Sequence, residues 1–216
     1  MGAQVGYVAD GILKSQEEID NHAKQDGATL GRMRWKDLDG NNIITEADQD
    51  WIYDPTPDFS YGLNVYLEYK NFDFTMFWQG VQGVDIISDL KKQTDIWAGL
   101  NIGFLNKGQR LLNAWSTTNP DSNIPALSLS DNNNEKRVST YWVENGSYLK
   151  LRTIQLGYNL PKSMTNRLAM QRLRFYLSAQ NLLTIHSKSF TGVDPENPNY
   201  GYPIPLNITF GINVTF

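Results

Sequence analysis

One stretch constrains this chain more than any other: residues 205–216, PLNITFGINVTF. From Leu206 the apolar side chains fall on every second position (Leu206, Ile208, Phe210, Ile212, Val214, Phe216). Between them stand only Asn207, Thr209, Gly211, Asn213 and Thr215. A β-strand sends successive side chains to opposite faces, so this pattern makes a ribbon with one wholly apolar face and one uncharged polar face. The edge strand of a soluble sandwich can carry the same alternation. Unbroken parity running to the aromatic Phe216 is what the closing strand of an outer-membrane β-barrel requires, with lipid outside, a polar lumen inside and an aromatic at the interfacial girdle.

Composition narrows the classes. The chain has 216 residues, a formal net charge of −4 and no cysteine. It has no basic run that would track a phosphate backbone, so nucleic acid is not an expected partner. Without cysteine there is no disulfide framework, thiolate metal site or cysteine nucleophile. The two histidines, His22 and His186, lack a second ligand at metal spacing and read as solvated loop residues. No run approaches the roughly 20 apolar residues of a membrane-spanning helix. Barrel strands escape that test, because only alternate positions are apolar. Aromatic residues make up 12% of the chain, including eleven Tyr and six Trp, enough to furnish girdles. The opening residues MGAQVGYV have neither the charged start nor the apolar core of a secretory leader. Residues 1–10 read as part of a strand, so the chain is expected to be the C-terminal piece of a larger exported protein.

The same alternation recurs upstream. Residues 59–69 place Phe59, Tyr61, Leu63, Val65, Leu67 and Tyr69 on one face and Ser60, Gly62, Asn64, Tyr66 and Glu68 on the other. Lys70-Asn71 is a short turn, and residues 72–81 alternate again with Phe72, Phe74, Met76 and Trp78 opposite Asp73, Thr75, Phe77 and Gln79, completing a hairpin. Strand character resumes over 148–159, with Ile154, Leu156 and Tyr158 against Thr153, Gln155 and Gly157. It returns over 171–183, with Leu173, Phe175, Leu177 and Ala179 against Arg172, Arg174, Tyr176 and Ser178. A helix capped by Ser15 is expected over 15–24, with Glu17 and Glu18 in its first turn. Short helical turns are expected near 109–115 and within 161–170.

Residues 84–147 and 186–204 show no such period and are expected as long extracellular loops of one barrel domain. An aperiodic stretch as long as the first would be out of place in a compact soluble domain. Counted back from Phe216, the connections run long, short, long and short, which is how extracellular loops and periplasmic turns alternate in a barrel. Tyr69, Phe72, Tyr158 and Phe216 then fall at the periplasmic rim of the apolar face. Five strands are fewer than the about eight that close a barrel, and an open sheet leaves unpaired edges in lipid. The expected fold class is therefore mainly all-β, antiparallel transmembrane barrel strands whose remaining partners lie outside this chain.

Residues 37–48 read DLDGNNIITEAD. Oxygen donors stand at positions 1 (Asp37), 3 (Asp39), 5 (Asn41), 9 (Thr45) and 12 (Asp48), and Ile43 offers a backbone carbonyl at position 7. That is the spacing of a 12-residue calcium loop, which wraps hard oxygens around one point. Asn42 replaces the usual glycine at position 6, tolerable because Asn visits the left-handed region. Asp48 replaces the usual bidentate Glu and weakens the set. No helix precedes the loop, so Ca2+ would sit in an isolated loop, not a paired EF-hand. An Asx-turn-rich surface loop with no metal is the competing reading.

Taken together, these segments resemble the C-terminal part of the SusC/RagA-like TonB-dependent outer-membrane transporters. The resemblance is carried by GYVADGILKSQEEID (6–20), WKDLDGNNIITEADQDWI (35–52), PTPDFSYGLNVYLEYKNFDFTMFWQGVQG (55–83), NGSYLKLRTIQLGYNLP (145–161), LRFYLSAQNLLTI (173–185), VDPE (193–196) and the terminal Phe216. It implies a barrel of about 22 strands, a plug domain and energy from an inner-membrane TonB complex. It also implies a SusD-like surface lipoprotein, oligosaccharide or peptide substrates, and the outer membrane of a Gram-negative, Bacteroidetes-like bacterium. Nothing in the chain matches the plug. A soluble calcium-containing carbohydrate-binding module is the alternative, and it would need a second sheet over the apolar faces. No nucleophile–base pair or catalytic motif is present, and Glu68 and Asp73 read as lumen lining, so the chain is not expected to be an enzyme.

Overall fold

The structure, a computed structural model, describes residues 2, 4–95, 107–128, 130–198 and 202–216. Residues 96–106, 129 and 199–201 of the expected long loops lie outside the described residues. The strands are β1 (Gln4–Tyr7), β2 (Ala9–Ile12), β3 (Met33–Trp35), β4 (Gln49–Tyr53), β5 (Phe59–Tyr69), β6 (Phe72–Gln82), β7 (Asp85–Ile87), β8 (Val143–Asn145), β9 (Tyr148–Asn159), β10 (Arg172–His186) and β11 (Asn207–Thr215). The helices are α1 (Gln16–Asn21), α2 (Asp89–Asp95) and α3 (Lys162–Thr165). The chain divides into two compact units.

One unit comprises the described residues of Pro57–Val84, Gly146–Asn197 and Tyr202–Phe216. Its five long strands form one antiparallel sheet in the order β11-β10-β9-β6-β5, an up-and-down meander in which each strand lies beside the long strand before it. The register places like residues in rows. Leu67 faces Phe74, Phe74 faces Leu156, Leu156 faces Leu177 and Leu177 faces Phe210. The next row, Tyr66, Thr75, Gln155, Ser178 and Thr209, is polar throughout. Among the described residues no second layer covers the apolar face: Leu67 is 60% exposed, Leu177 52% and Phe210 67%. β5 and β6 are 11 residues each. At about 3.4 Å per residue and a tilt of about 40°, such strands rise roughly 26 Å, close to the about 25 Å apolar band of an outer-membrane barrel.

The alternation breaks at one level. Phe77 pairs with Thr153 but Trp78 pairs with Leu151, so β9 carries an extra residue at Arg152. On its other side Thr153 pairs with Gln180 and Leu151 with Leu183, and Asn181 in that bulge of β10 is left-handed at φ 56°. The single extra residue resets the parity of β9, whereas β10 takes up two, Asn181 and Leu182, and keeps its own. Lys150 consequently pairs with Gln79 and Thr184 and shares the polar face. Between β9 and β10, α3 and a 3₁₀ turn at Asn166–Leu168 supply the short helical connection expected within 161–170.

The other unit comprises the described residues of Met1–Thr56, Asp85–Asn145 and Pro198–Gly201. Three two-stranded sheets, β1-β4, β2-β3 and β7-β8, surround a buried core of Met33, Trp35 and Trp142, with Tyr7, Ala9, Ile44, Ile87 and Tyr141 packed on it. The strand expected at the start of the chain is thus two short strands outside the five-stranded sheet. Polar side chains bond to backbone throughout. Gln25 donates to the Met33 carbonyl at 2.8 Å and accepts from the Trp35 N–H at 3.1 Å, while Glu135 accepts from the Met33 N–H at 2.9 Å. The stretch 84–147, aperiodic in sequence, therefore contains α2, β7, β8 and short 3₁₀ turns at Gln109–Asn113 and Thr140–Trp142, fastened to β3. The Ser15-capped helix is present but ends at Asn21, because Lys24 forms a parallel bridge with Ile43.

Candidate functional site

The acidic loop closes on itself. Asp37 accepts the N–H of Gly40 at 2.8 Å and of Asn42 at 2.8 Å, and Asn42 is left-handed at φ 61°. Asp39 accepts the Asn41 N–H at 3.0 Å, and Asn41 Oδ1 accepts the Ile43 N–H at 2.7 Å. Thr45 caps a 3₁₀ turn over Glu46–Asp48, its Oγ1 accepting from the Ala47 N–H at 3.2 Å. Asp48 is fully buried and reaches back, accepting the Leu38 N–H at 2.8 Å and the Thr45 N–H at 2.7 Å. Burial pushes the Asp48 carboxyl up, but the N–H groups of Thr45, Leu38 and Asp39, together with a hydrogen bond to Asp37, outweigh it and hold the group below the ordinary carboxylate range. It is ionised at neutral pH.

Carboxylate oxygens of Asp37, Asp39 and Asp48 lie within 4.8 Å of one another. Three anionic hard oxygens around one point suit a calcium ion and would repel one another without a cation. Asn41 Nδ2 donates to Asp39 Oδ2 at 2.8 Å, so the amide nitrogen faces that carboxylate, and Thr45 Oγ1 is engaged in its cap. Ile43 is held by its bridge to Lys24, with its side chain half exposed. His22 and His186 stand apart from this group: His22 Nε2 lies 3.1 Å from Gln25 Oε1, and His186 Nδ1 lies 2.9 Å from the Ser187 carbonyl oxygen.

The polar face of the sheet carries charges whose partners the sequence alone does not disclose. Asp73 on β6 and Arg174 on β10 reach across β9 to form a bidentate pair, with Arg174 Nε donating at 3.0 Å and Arg174 Nη2 closing the second contact. The pair passes over Gly157, where a Cβ would stand 2.4 Å from Asp73 Oδ2. Asn159 Nδ2 donates to the same carboxylate at 3.2 Å, and Glu68 accepts from the Tyr66 hydroxyl at 3.3 Å. At the opposite end of β9, Tyr148, Lys150 and Arg152 meet Asp194 and Glu196. One signal in the sequence points to this second group. Counting in twos from Ile154 would send Arg152 and Lys150 to the apolar face, a placement that only a bulge can avoid.

No family model matches the chain. TonB-dependent receptor P3 of Formosa agariphila is 34% identical over 100% of this chain, which covers 22% of that relative. TonB-dependent receptor P26 of the same organism is 32% identical over 95% of the chain and is covered to 22%. TonB-dependent receptor SusC of Bacteroides thetaiotaomicron is 29% identical over 99% of the chain and is covered to 20%. The chain thus spans about a fifth of the length of the curated relatives it matches. Among solved structures, the RagAB peptide transporter superposes with a TM-score of 0.73 at 25% identity, over 99% of this chain and 22% of the other.

Strand order, the exposed apolar face and these matches define a class, the β-barrel wall of a TonB-dependent receptor. Within it, the chain corresponds to part of the C-terminal barrel region of the SusC/RagA-like receptors. The relatives are named as receptors and transporters, not as enzymes.

Proposed function

We propose that this chain supplies five strands of the barrel wall of a TonB-dependent transporter, which takes up oligosaccharides or peptides across the outer membrane of a Gram-negative, Bacteroidetes-like bacterium. The observation that carries the reading is the apolar face, exposed on all five strands and backed by a polar face. Lipid covers the first and the lumen wets the second. A soluble carbohydrate-binding module would need a covering layer, and the exposure of Leu67, Leu177 and Phe210 speaks against one. On this reading Lys70-Asn71 lies at the periplasmic rim, and the chain between β6 and β9 and between β10 and β11 emerges outside the cell. A SusD-like lipoprotein would close over that outer side, and an inner-membrane TonB complex would supply energy through parts of the receptor outside this chain. The name of the RagAB peptide transporter supports peptides as one cargo. No residue of the chain is assigned a catalytic step.

Phe210 and Thr209 are neighbours on opposite faces, which makes the test direct. In the full-length protein Phe210→Arg should reduce outer-membrane levels severely, since Arg at the lipid midplane costs about 2 to 4 kcal/mol. Thr209→Arg, in contact with the lumen, should be mild. Equal losses measured by membrane fractionation would overturn the assignment of faces.

The acidic loop is the second element of the proposal: Asp37, Asp39 and Asp48 bind Ca2+, aided by Asn41, Thr45 and the Ile43 carbonyl once Asn41 turns its oxygen inward. The converging carboxylates support this. Calcium at millimolar concentration should protect residues 35–51 from proteolysis, and Asp39→Ala should abolish that protection. A parent protein with no calorimetric response to calcium would leave the loop as an Asx-rich turn.

A further inference from the structure

Lys150 is 1% exposed, on a strand whose neighbouring side chains are polar or apolar but uncharged apart from Arg152. A buried ammonium is costly unless each of its N–H groups is met. Here they are. Lys150 Nζ lies 2.7 and 2.8 Å from the two oxygens of Asp194 and 2.6 Å from Glu196 Oε2. The other oxygen of Glu196 accepts from the Tyr148 hydroxyl at 2.7 Å and from Arg152 Nη2. Arg152 in turn donates from Nε to Gln79 Oε1 at 2.8 Å, tying the group to β6. Two cations face two carboxylates, so the cluster is neutral and its strong donors and acceptors are matched.

Asp194 and Glu196 belong to the connection between β10 and β11. That segment is stiffened locally. Asp194 accepts the Glu196 N–H at 2.9 Å through its side chain and the Asn197 N–H at 3.0 Å through its carbonyl, and Pro195 lies between. A second attachment comes from Phe190, which is buried and meets the His186 ring edge-on at a centroid distance of 5.2 Å. The segment is therefore fastened near both ends of residues 190–196, and its strongest fastening lies on the polar face of the sheet. The bulge at Arg152 is the reason Lys150 points to that face.

We propose that Lys150 is a positioning residue that locks residues 190–196 onto the inner wall, making this segment a fixed sill at the outer mouth of the barrel and not a lid that opens during transport. The proposal rests on the barrel reading above. It assigns the mouth an immobile side, so any opening that admits cargo must come from elsewhere on the rim.

The test uses the full-length protein in intact cells, with a nitroxide label on Val193→Cys, a position 65% exposed on the sill. The label should give a restrained spectrum, identical in energised cells and in cells treated with a protonophore. A spectrum that changes with energisation would overturn the sill. Lys150→Met strands two carboxylates and should free the label. It should also raise trypsin cleavage at the exposed Lys188 by about tenfold or more. A label on Leu63→Cys, elsewhere on the sheet, should be unmoved. If Lys150→Met prevents barrel assembly, Glu196→Gln removes one anion from the sill side alone, and cleavage should rise about threefold. Unchanged cleavage in assembled variants would overturn the lock. Absence of the parent from the outer-membrane fraction would count against the barrel reading instead, and a parent present there with a freely mobile label would count against the sill.

Discussion

The two units of this chain hold their shape by different means. The five-stranded sheet is built from rows: one register places Leu67, Phe74, Leu156, Leu177 and Phe210 side by side, and the next places polar groups side by side. Within the sheet the backbone bonds are met by neighbouring strands. Among the described residues the outer edges of β5 and β11 have no strand partner, and the apolar face has no cover. The other unit has strands of three to five residues and a small aromatic core, and it is fastened by side chains that bond backbone far away in sequence. Gln25 and Glu135, for example, serve the same strand from opposite sides of the sequence. A sheet whose apolar face takes no protein cover can be specified by a repeat. A unit that must bury its own apolar side chains has to be specified contact by contact.

Trp142→Ala should give the sharpest break between the two. It empties a site 1% exposed against Met33 and Trp35, and such truncations cost about 3 to 5 kcal/mol. Hydrogen exchange should accelerate in β3, β7 and β8 and stay slow in β6, β9 and β10. Faster exchange in both sets would show that the units unfold as one.

Gly27→Ala should follow at about 1 to 3 kcal/mol, since Gly27 sits at φ 72° and a Cβ would stand 2.2 Å from the Asn132 carbonyl oxygen, a backbone atom. Gly157→Ala makes a useful counterpart in the sheet. Its Cβ would meet only the tips of Asp73 and Arg174, which can swing aside, so the loss should be smaller. Thermal unfolding of the two variants checks the order, and a larger loss at Gly157 would mean that the ion pair is rigidly held.

The smallest effect is an acid response of opposite sign. Burial pushes Glu196 up, but hydrogen bonds from Arg152, Lys150 and Tyr148 hold it down to about 2, below the ordinary value near 4.3. Its contribution is complete above about 4.3 and fades as pH falls toward 2. Glu135 is raised, because burial outweighs the Arg32 guanidinium beside it. Its protonated form is favoured on folding, so its contribution is present at low pH and fades as pH rises through its folded value. Between neutrality and pH 4.5 the sill label should therefore be unchanged, while exchange around Glu135, taken relative to the intrinsic amide rate at each pH, should slow. Loosening of the sill above pH 5 would contradict the first sign, and faster exchange near Glu135 would contradict the second.

This division also explains what could be read from the sequence. The five long strands, the Lys70-Asn71 turn and the faces of Leu177 and Ser178 follow from a period of two, and the structure has them. Asp37, Asp39 and Asp48 could be grouped because a loop of fixed spacing brings them together locally. The packing of residues 84–147 on Trp35 could not, since Asn133 and Glu135 reach β3 through single hydrogen bonds that leave no period. The Lys150 cluster was hidden by one residue: Arg152 displaces the count, and its partners Asp194 and Glu196 stand beyond another strand.

The paired bulges at Arg152 and Asn181 bear on how such a wall tolerates changes in its own length. Elsewhere in these strands, gaining or losing a single codon would turn every later side chain inside out, exchanging oil-facing for water-facing surface. Between β5 and β6, and between β10 and β11, the register runs without a shift, so no slack exists there. At the bulges β9 has already absorbed one odd residue, Arg152, and β10 a pair, Asn181 and Leu182. Insertions engineered into this part of the wall should be steered to that level, or made two residues at a time.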